Sequence, residues 1–116
     1  MNLDHLQMLL KEIDSVSQLE IASLESSLRQ LVENIFKLQY WELEQGRNYR
    51  DWQSSVSNAR GCIQTLLRNN PNLEKHLERI YPKLYRDTIN TLQSQFYIPE
   101  NMPIELRQIL DKNYFG

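Results

Sequence analysis

The feature that most constrains this chain is the spacing of its apolar residues, which recur every three or four positions with very few chain breakers between them. Only 3 Gly and 4 Pro occur in 116 residues, and they fall mostly between stretches of that spacing. Leu3, Leu6, Leu10 and Ile13 share one stripe, and Leu24, Leu28, Leu31, Ile35 and Leu38 form another with Ile21 leading into it. Between them Asp14-Ser15-Val16-Ser17 contains poor helix formers suited to capping a new helix, so a break is expected there. One long helix over residues 3–44 also fits the spacing. Gln45-Gly46-Arg47-Asn48 reads as a turn. A helix over about 49–68 follows, with Trp52, Val56, Ala59, Ile63, Leu66 and Leu67 inward and Gly61 either a packing contact or a tolerated weakness.

Asn70 is placed to cap the next helix, with Pro71 as its first residue and Glu74 in its first turn. That helix is expected to run to about Phe96 on Leu73, Leu77, Ile80, Leu84, Leu92 and Phe96, kinked at Pro82. After a turn over residues 97–102, Pro103 starts a short terminal helix through Ile104, Leu106, Ile109 and Leu110. No strand-like alternation, repeat or linker is evident. The expected architecture is an all-α bundle of four to five helices with a long N-terminal helical region, forming a single domain over residues 1–116.

Composition narrows the function classes. With 41% hydrophobic and 24% charged residues, the chain resembles neither a disordered nor a membrane-spanning sequence. The start Met-Asn-Leu-Asp-His lacks the basic and apolar regions of a secretory signal, so a cytoplasmic location is expected. A single Cys62 reads as a reduced residue on a helix. Net charge is −2, unevenly spread. Residues 1–46 carry three basic against eight acidic groups, whereas residues 47–87 carry eight against four. Acidic and basic helices lying side by side account for this.

No arrangement of residues signals catalysis, a metal or a cofactor. His5 and His76 lie outside ligand-type spacing, and glycine-rich phosphate loops are absent. Glu74 and Glu78 lie one helical turn apart among Lys75, Arg79 and Lys83, which reads as an ordinary solvated face. Lys75, Arg79, Lys83 and Arg86 share one side of a helix and form a candidate basic face. Glu78 and Asp87 interrupt it, and a pI near 5.7 argues against nucleic acid. Phe36, Tyr40, Trp41, Tyr49 and Trp52 bracket the expected Gly46 turn and read as the packed end of a bundle or a binding hot spot.

The order of Phe36-Lys37-Leu38-Gln39-Tyr40, Arg47 with Asp51-Trp52, Ala59-Arg60-Gly61-Cys62-Ile63, Asn70-Pro71-Asn72-Leu73, Tyr85-Arg86-Asp87-Thr88 and Leu110-Asp111-Lys112-Asn113-Tyr114 resembles a known family. It is similar to the domain of unknown function 29 family, small helical proteins abundant in cyanobacteria. The resemblance covers nearly the whole chain and implies a helical bundle, a bacterial source and no assigned activity. It singles out Lys37, Gln39, Tyr40, Arg47, Trp52 and Arg60 as a motif cluster. Two family positions differ: Asn34 stands in place of a frequent His, and Ile89 in place of an Arg. Family members commonly carry a further helix ahead of the stretch that here begins at Leu3. A bundle lacking it is expected to leave an apolar groove for self-association or a partner's helix. The functional expectation is therefore a protein interaction module, a homo-oligomer or partner binder using the N-terminal apolar stripe. A polyanion binder is the alternative, and an enzyme built on Lys37, Gln39, Tyr40, Arg47 and Arg60 the remotest reading.

Overall fold

A computed structural model of the chain describes residues 17–99 and 103–115, with the backbone alone over 42–47. The stripe Leu3, Leu6, Leu10 and Ile13 lies outside the described residues. Four helices are described: α1 (Gln18–Tyr40), α2 (Glu42–Asn69), α3 (Leu73–Leu92) and α4 (Leu106–Leu110). No strand occurs among the described residues, and the fold is the expected all-α bundle.

Helix α1 begins where the poor helix formers predict. Ser17 is extended at φ −89° and ψ 159°, and its hydroxyl accepts from the Glu20 N–H at 3.1 Å while donating to Oε1 of the same residue at 3.2 Å. Glu20 Oε2 also accepts from the Asn70 side-chain amide at 3.3 Å, tying the start of α1 to the end of α2. Helices α1 and α2 are joined by the single residue Trp41 and run antiparallel as a hairpin.

The expected turn at Gln45-Gly46-Arg47-Asn48 is not there. Helix α2 runs unbroken through it, and the chain reverses at Trp41 instead, at φ −89° and ψ 68°. The cause is aromatic packing. The Trp41 ring stacks on Trp52 at 5.7 Å and on Phe96 at 5.1 Å between centroids, a sandwich that holds residue 41 out of helical register. A glycine inside a helix costs only about 1 kcal/mol, which such packing outweighs. Tyr49, grouped with these aromatics on sequence grounds, is exposed.

The α1 stripe Leu24, Leu28, Leu31, Ile35 and Leu38 is buried within the chain, against Val56, Ala59 and Ile63 of α2 and the inner face of α3. That α3 face is Leu73, Leu77, Tyr81, Leu84, Thr88 and Leu92. Tyr81 and Thr88 were hidden from a purely apolar count, whereas Ile80 is only partly buried. The Thr88 hydroxyl is satisfied by the Leu84 carbonyl of its own helix at 2.7 Å. Asn70 caps as expected, its side-chain carbonyl accepting from the Asn72 N–H at 3.2 Å, although regular helix starts at Leu73. Helix α3 ends at Leu92, short of Phe96, in a turn closed by Gln95 and Phe96 N–H groups on the Leu92 carbonyl. Pro82 sits inside the helix on its exposed side, where its missing N–H faces solvent.

Helix α4 starts at Leu106 and not at Pro103, because Glu105 is extended at φ −69° and ψ 148°. Residues 103–105 form a strap instead. Ile98 and Ile109 anchor the C-terminal part of the chain in the core.

Candidate functional site

The motif cluster is dispersed among structural duties. Arg60 projects from the inner face of α2 and is 3% exposed. Its Nε donates to the Ile109 carbonyl at 3.0 Å and its Nη2 to the Tyr114 carbonyl, while the Phe115 ring lies 5.3 Å from the guanidinium carbon. Five fixed donors on a planar group suit this task, since one side chain reaches two carbonyls of a chain that has no ladder partner there. Burial lowers the Arg60 pKa, opposed by Asp111 and Tyr114. Trp52 is buried in the Trp41 stack, and Lys37 holds its ammonium 5.9 Å from the Trp41 ring. The side chain of Arg47 lies outside the described residues. Arg60, Trp52 and Lys37 thus secure the hairpin bend and the C-terminal segment.

Gln39 and Tyr40 differ in that they line a cavity of about 290 Å³, together with Phe36, Tyr85, Pro103, Ile104, Gln108 and Tyr114. Phe36 stacks on Tyr40 at 5.7 Å and meets Tyr85 edge-on at 5.8 Å. Gln39 Oε1 and Arg60 Nη1 are buried with no hydrogen-bond partner among the described residues. Tyr81 and Tyr85 grip the strap: the Tyr81 hydroxyl donates to the Ile104 carbonyl at 2.6 Å, and the Ile104 N–H donates to the Tyr85 oxygen at 3.2 Å. Burial raises the pKa values of Tyr81, Tyr85 and Tyr114, because a phenolate in this surround lacks water. For Tyr85 the Ile104 N–H opposes that rise.

The candidate basic face is split. Lys75, Arg79, Lys83 and Arg86 are all exposed. Arg79 donates to His76 Nδ1 at 3.1 Å, and Arg79 and Lys83 share a depression with Glu25, Arg29 and Asp87. Arg86 borders a different depression, beside Tyr81 and Tyr85. Opposite charges lie among the cations, as the side-by-side placement of acidic and basic segments implies. Asn34, at the position where the family often has His, donates to the Gln30 carbonyl of its own helix at 2.7 Å, and Ile89 packs against the core.

A further concavity among the described residues was not singled out from the sequence. A groove of about 930 Å³ lies between α1 and α2, lined by Leu19, Ala22, Ser23, Ser26 and Ser27 from one helix and Ser57, Asn58, Gly61, Cys62, Thr65 and Leu66 from the other. No charged residue is among its described lining residues. Leu19 is 81% exposed at its rim, and a Cβ placed on Gly61 would meet nothing within 4 Å. Among the described residues, Gly61 is therefore no packing contact. The available signal was small residues one turn apart, 22 with 26 and 57 with 61 and 65, a pattern that lets another backbone approach closely.

No helix among the described residues is long and apolar enough to cross a membrane. A family model described as "Domain of unknown function DUF29" matches residues 1–115. No curated protein and no solved structure gives a match.

Proposed function

The chain belongs to the DUF29 family, and on that premise we propose that it is a protein interaction module that pairs with a second copy of itself across the α1–α2 groove. The observation that carries this reading is that the described residues lining the groove are all uncharged, in a chain where 24% of residues are charged. An interface between identical copies presents the same patch to itself, so any charge near its axis meets its own like. An uncharged patch carries no such penalty. Small side chains on both walls allow close helix approach, and exposed Leu19 supplies an apolar knob. The apolar stripe of α1 from Leu24 to Leu38 is consumed inside the chain, which moves the proposed interface to the neighbouring face of the same helix. On this reading the domain acts by association and not by catalysis, with Arg60 committed to backbone carbonyls.

Cys62 lines the groove and is exposed, so it reports on the pairing directly. Under a mild oxidant that takes up two electrons and two protons per thiol pair, the proposal expects a covalent dimer through Cys62. Ser26→Arg, at an exposed groove position, removes it by setting like charges together in the paired state. A wild-type chain that stays monomeric in sedimentation, with or without oxidant, sinks the reading.

A further inference from the structure

Residues 103–115 lie against α1, α2 and α3, yet the hydrogen bonds that hold them there come from side chains. Among the described residues, no backbone–backbone hydrogen bond joins this segment to residues 17–99. Its own N–H groups bond locally, those of Gln108 and Ile109 to the Glu105 carbonyl and that of Tyr114 to the Asp111 carbonyl. Arg60 of α2 grips the Ile109 and Tyr114 carbonyls. Tyr81 of α3 donates to the Ile104 carbonyl, and Tyr85 accepts from the Ile104 N–H. Ile109, with no exposed surface, is the segment's apolar anchor.

The seam beneath the segment is poorly filled. The cavity of about 290 Å³ has Phe36, Gln39, Tyr40 and Tyr85 on one side and Pro103, Ile104, Gln108 and Tyr114 on the other, so it lies between the helical body and the segment. Side chains that face a void forgo the dispersion contacts that close packing would supply. Gln39 Oε1 and Arg60 Nη1, both buried without a hydrogen-bond partner among the described residues, belong to side chains of this same seam. Each is cut off from water while the segment is seated and regains it when the segment lifts, which favours opening. The body itself is packed differently: Leu28, Leu31, Val32, Ile35, Val56 and Ile63 have no exposed surface.

We propose that residues 103–115 are a displaceable cover, which opens as one unit from a body of α1, α2 and α3 that stays folded. Opening uncovers an aromatic strip of Phe36, Tyr40, Tyr81 and Tyr85 and releases the Arg60 guanidinium to solvent. Segments held by few contacts and imperfect packing open below the free energy of whole-molecule unfolding. The seam cavity shares no described lining residue with the α1–α2 groove, so the cover stands or falls separately from self-pairing.

The test is native-state hydrogen exchange of the full, isotope-labelled chain, followed by NMR at several low denaturant concentrations. The bonded amides of Ile104, Ile109 and Tyr114 are expected to share one protection factor, lower than that of Leu31 and Ile63 and less sensitive to denaturant. Arg60→Lys, which loses part of the fork, is expected to speed exchange of those three amides about tenfold while Leu31 and Ile63 are unchanged. Gln39→Met removes an unpartnered buried acceptor at similar volume and is expected to slow the same three amides about fivefold. The proposal is overturned if Ile109 matches Leu31 in protection and denaturant dependence, or if the three amides open separately. It is also overturned if Arg60→Lys speeds the body equally, or if Gln39→Met does not slow the segment.

Discussion

Arg60 shows how a residue that reads as functional in sequence serves the fold. A fully ionised side chain at 3% exposure suggests a ligand or an active site, yet its Nε and Nη2 donors go to the Ile109 and Tyr114 carbonyls. Removing it strands two carbonyls, so Arg60→Ala is expected to cost about 3 kcal/mol in denaturant unfolding. Amides of residues 106–115 should lose protection from hydrogen exchange first. Arg60→Lys should recover only part of this, because one ammonium does not reproduce the planar fork. The tyrosines make a pH prediction. In the unfolded chain Tyr81 ionises near its ordinary 10.0, and folding raises that value by burial. The folded state therefore holds protons that the unfolded state releases above that pH. Stability from Tyr81, Tyr85 and Tyr114 is complete below about pH 10 and falls as pH rises further. Thermal unfolding across this range should show the decline. Tyr81→Phe should flatten it while costing about 1 kcal/mol at neutral pH for the lost Ile104 bond.

At the level of elements, the sequence was most legible where periodicity and capping agree. The start of α1 at Ser17 and the Asn70 cap follow from short polar side chains that bond the backbone locally. The hairpin bend was misplaced because Gly46 is a local signal, whereas the bend is set by Trp41 meeting Trp52 and Phe96, residues 11 and 55 positions away. The strap was misread for the same reason. A proline suits the first position of a helix, but Tyr81 and Tyr85, about twenty residues before Ile104, hold it outside any helix. Gly61 offers an independent check on α2. It lies in helical backbone with open space around it, so Gly61→Ala should stabilise the monomer by about 1 kcal/mol in chemical denaturation. A loss of stability would mean that α2 is not continuous there.

For the whole molecule, the all-α class and most of the core were readable from residue spacing, because Leu24 to Leu38 and Trp52 to Ile63 face inward as their period demands. The candidate site was much less so. Lys37, Trp52 and Arg60 recur with the family's order of motifs, but the structure spends them on the bend and the tail. The α1–α2 groove is built from Ala, Ser, Gly and Thr, residue types that carry little hydrophobic signal individually and acquire meaning only when two helices set them side by side. The central claim is that this uncharged face pairs with itself. Light scattering on the unmodified chain across a wide concentration range measures that directly. The account predicts a molar mass rising from 13.9 kDa toward twice that value with concentration, and remaining at the lower value for Ser26→Arg. A wild-type mass fixed at 13.9 kDa throughout would contradict it.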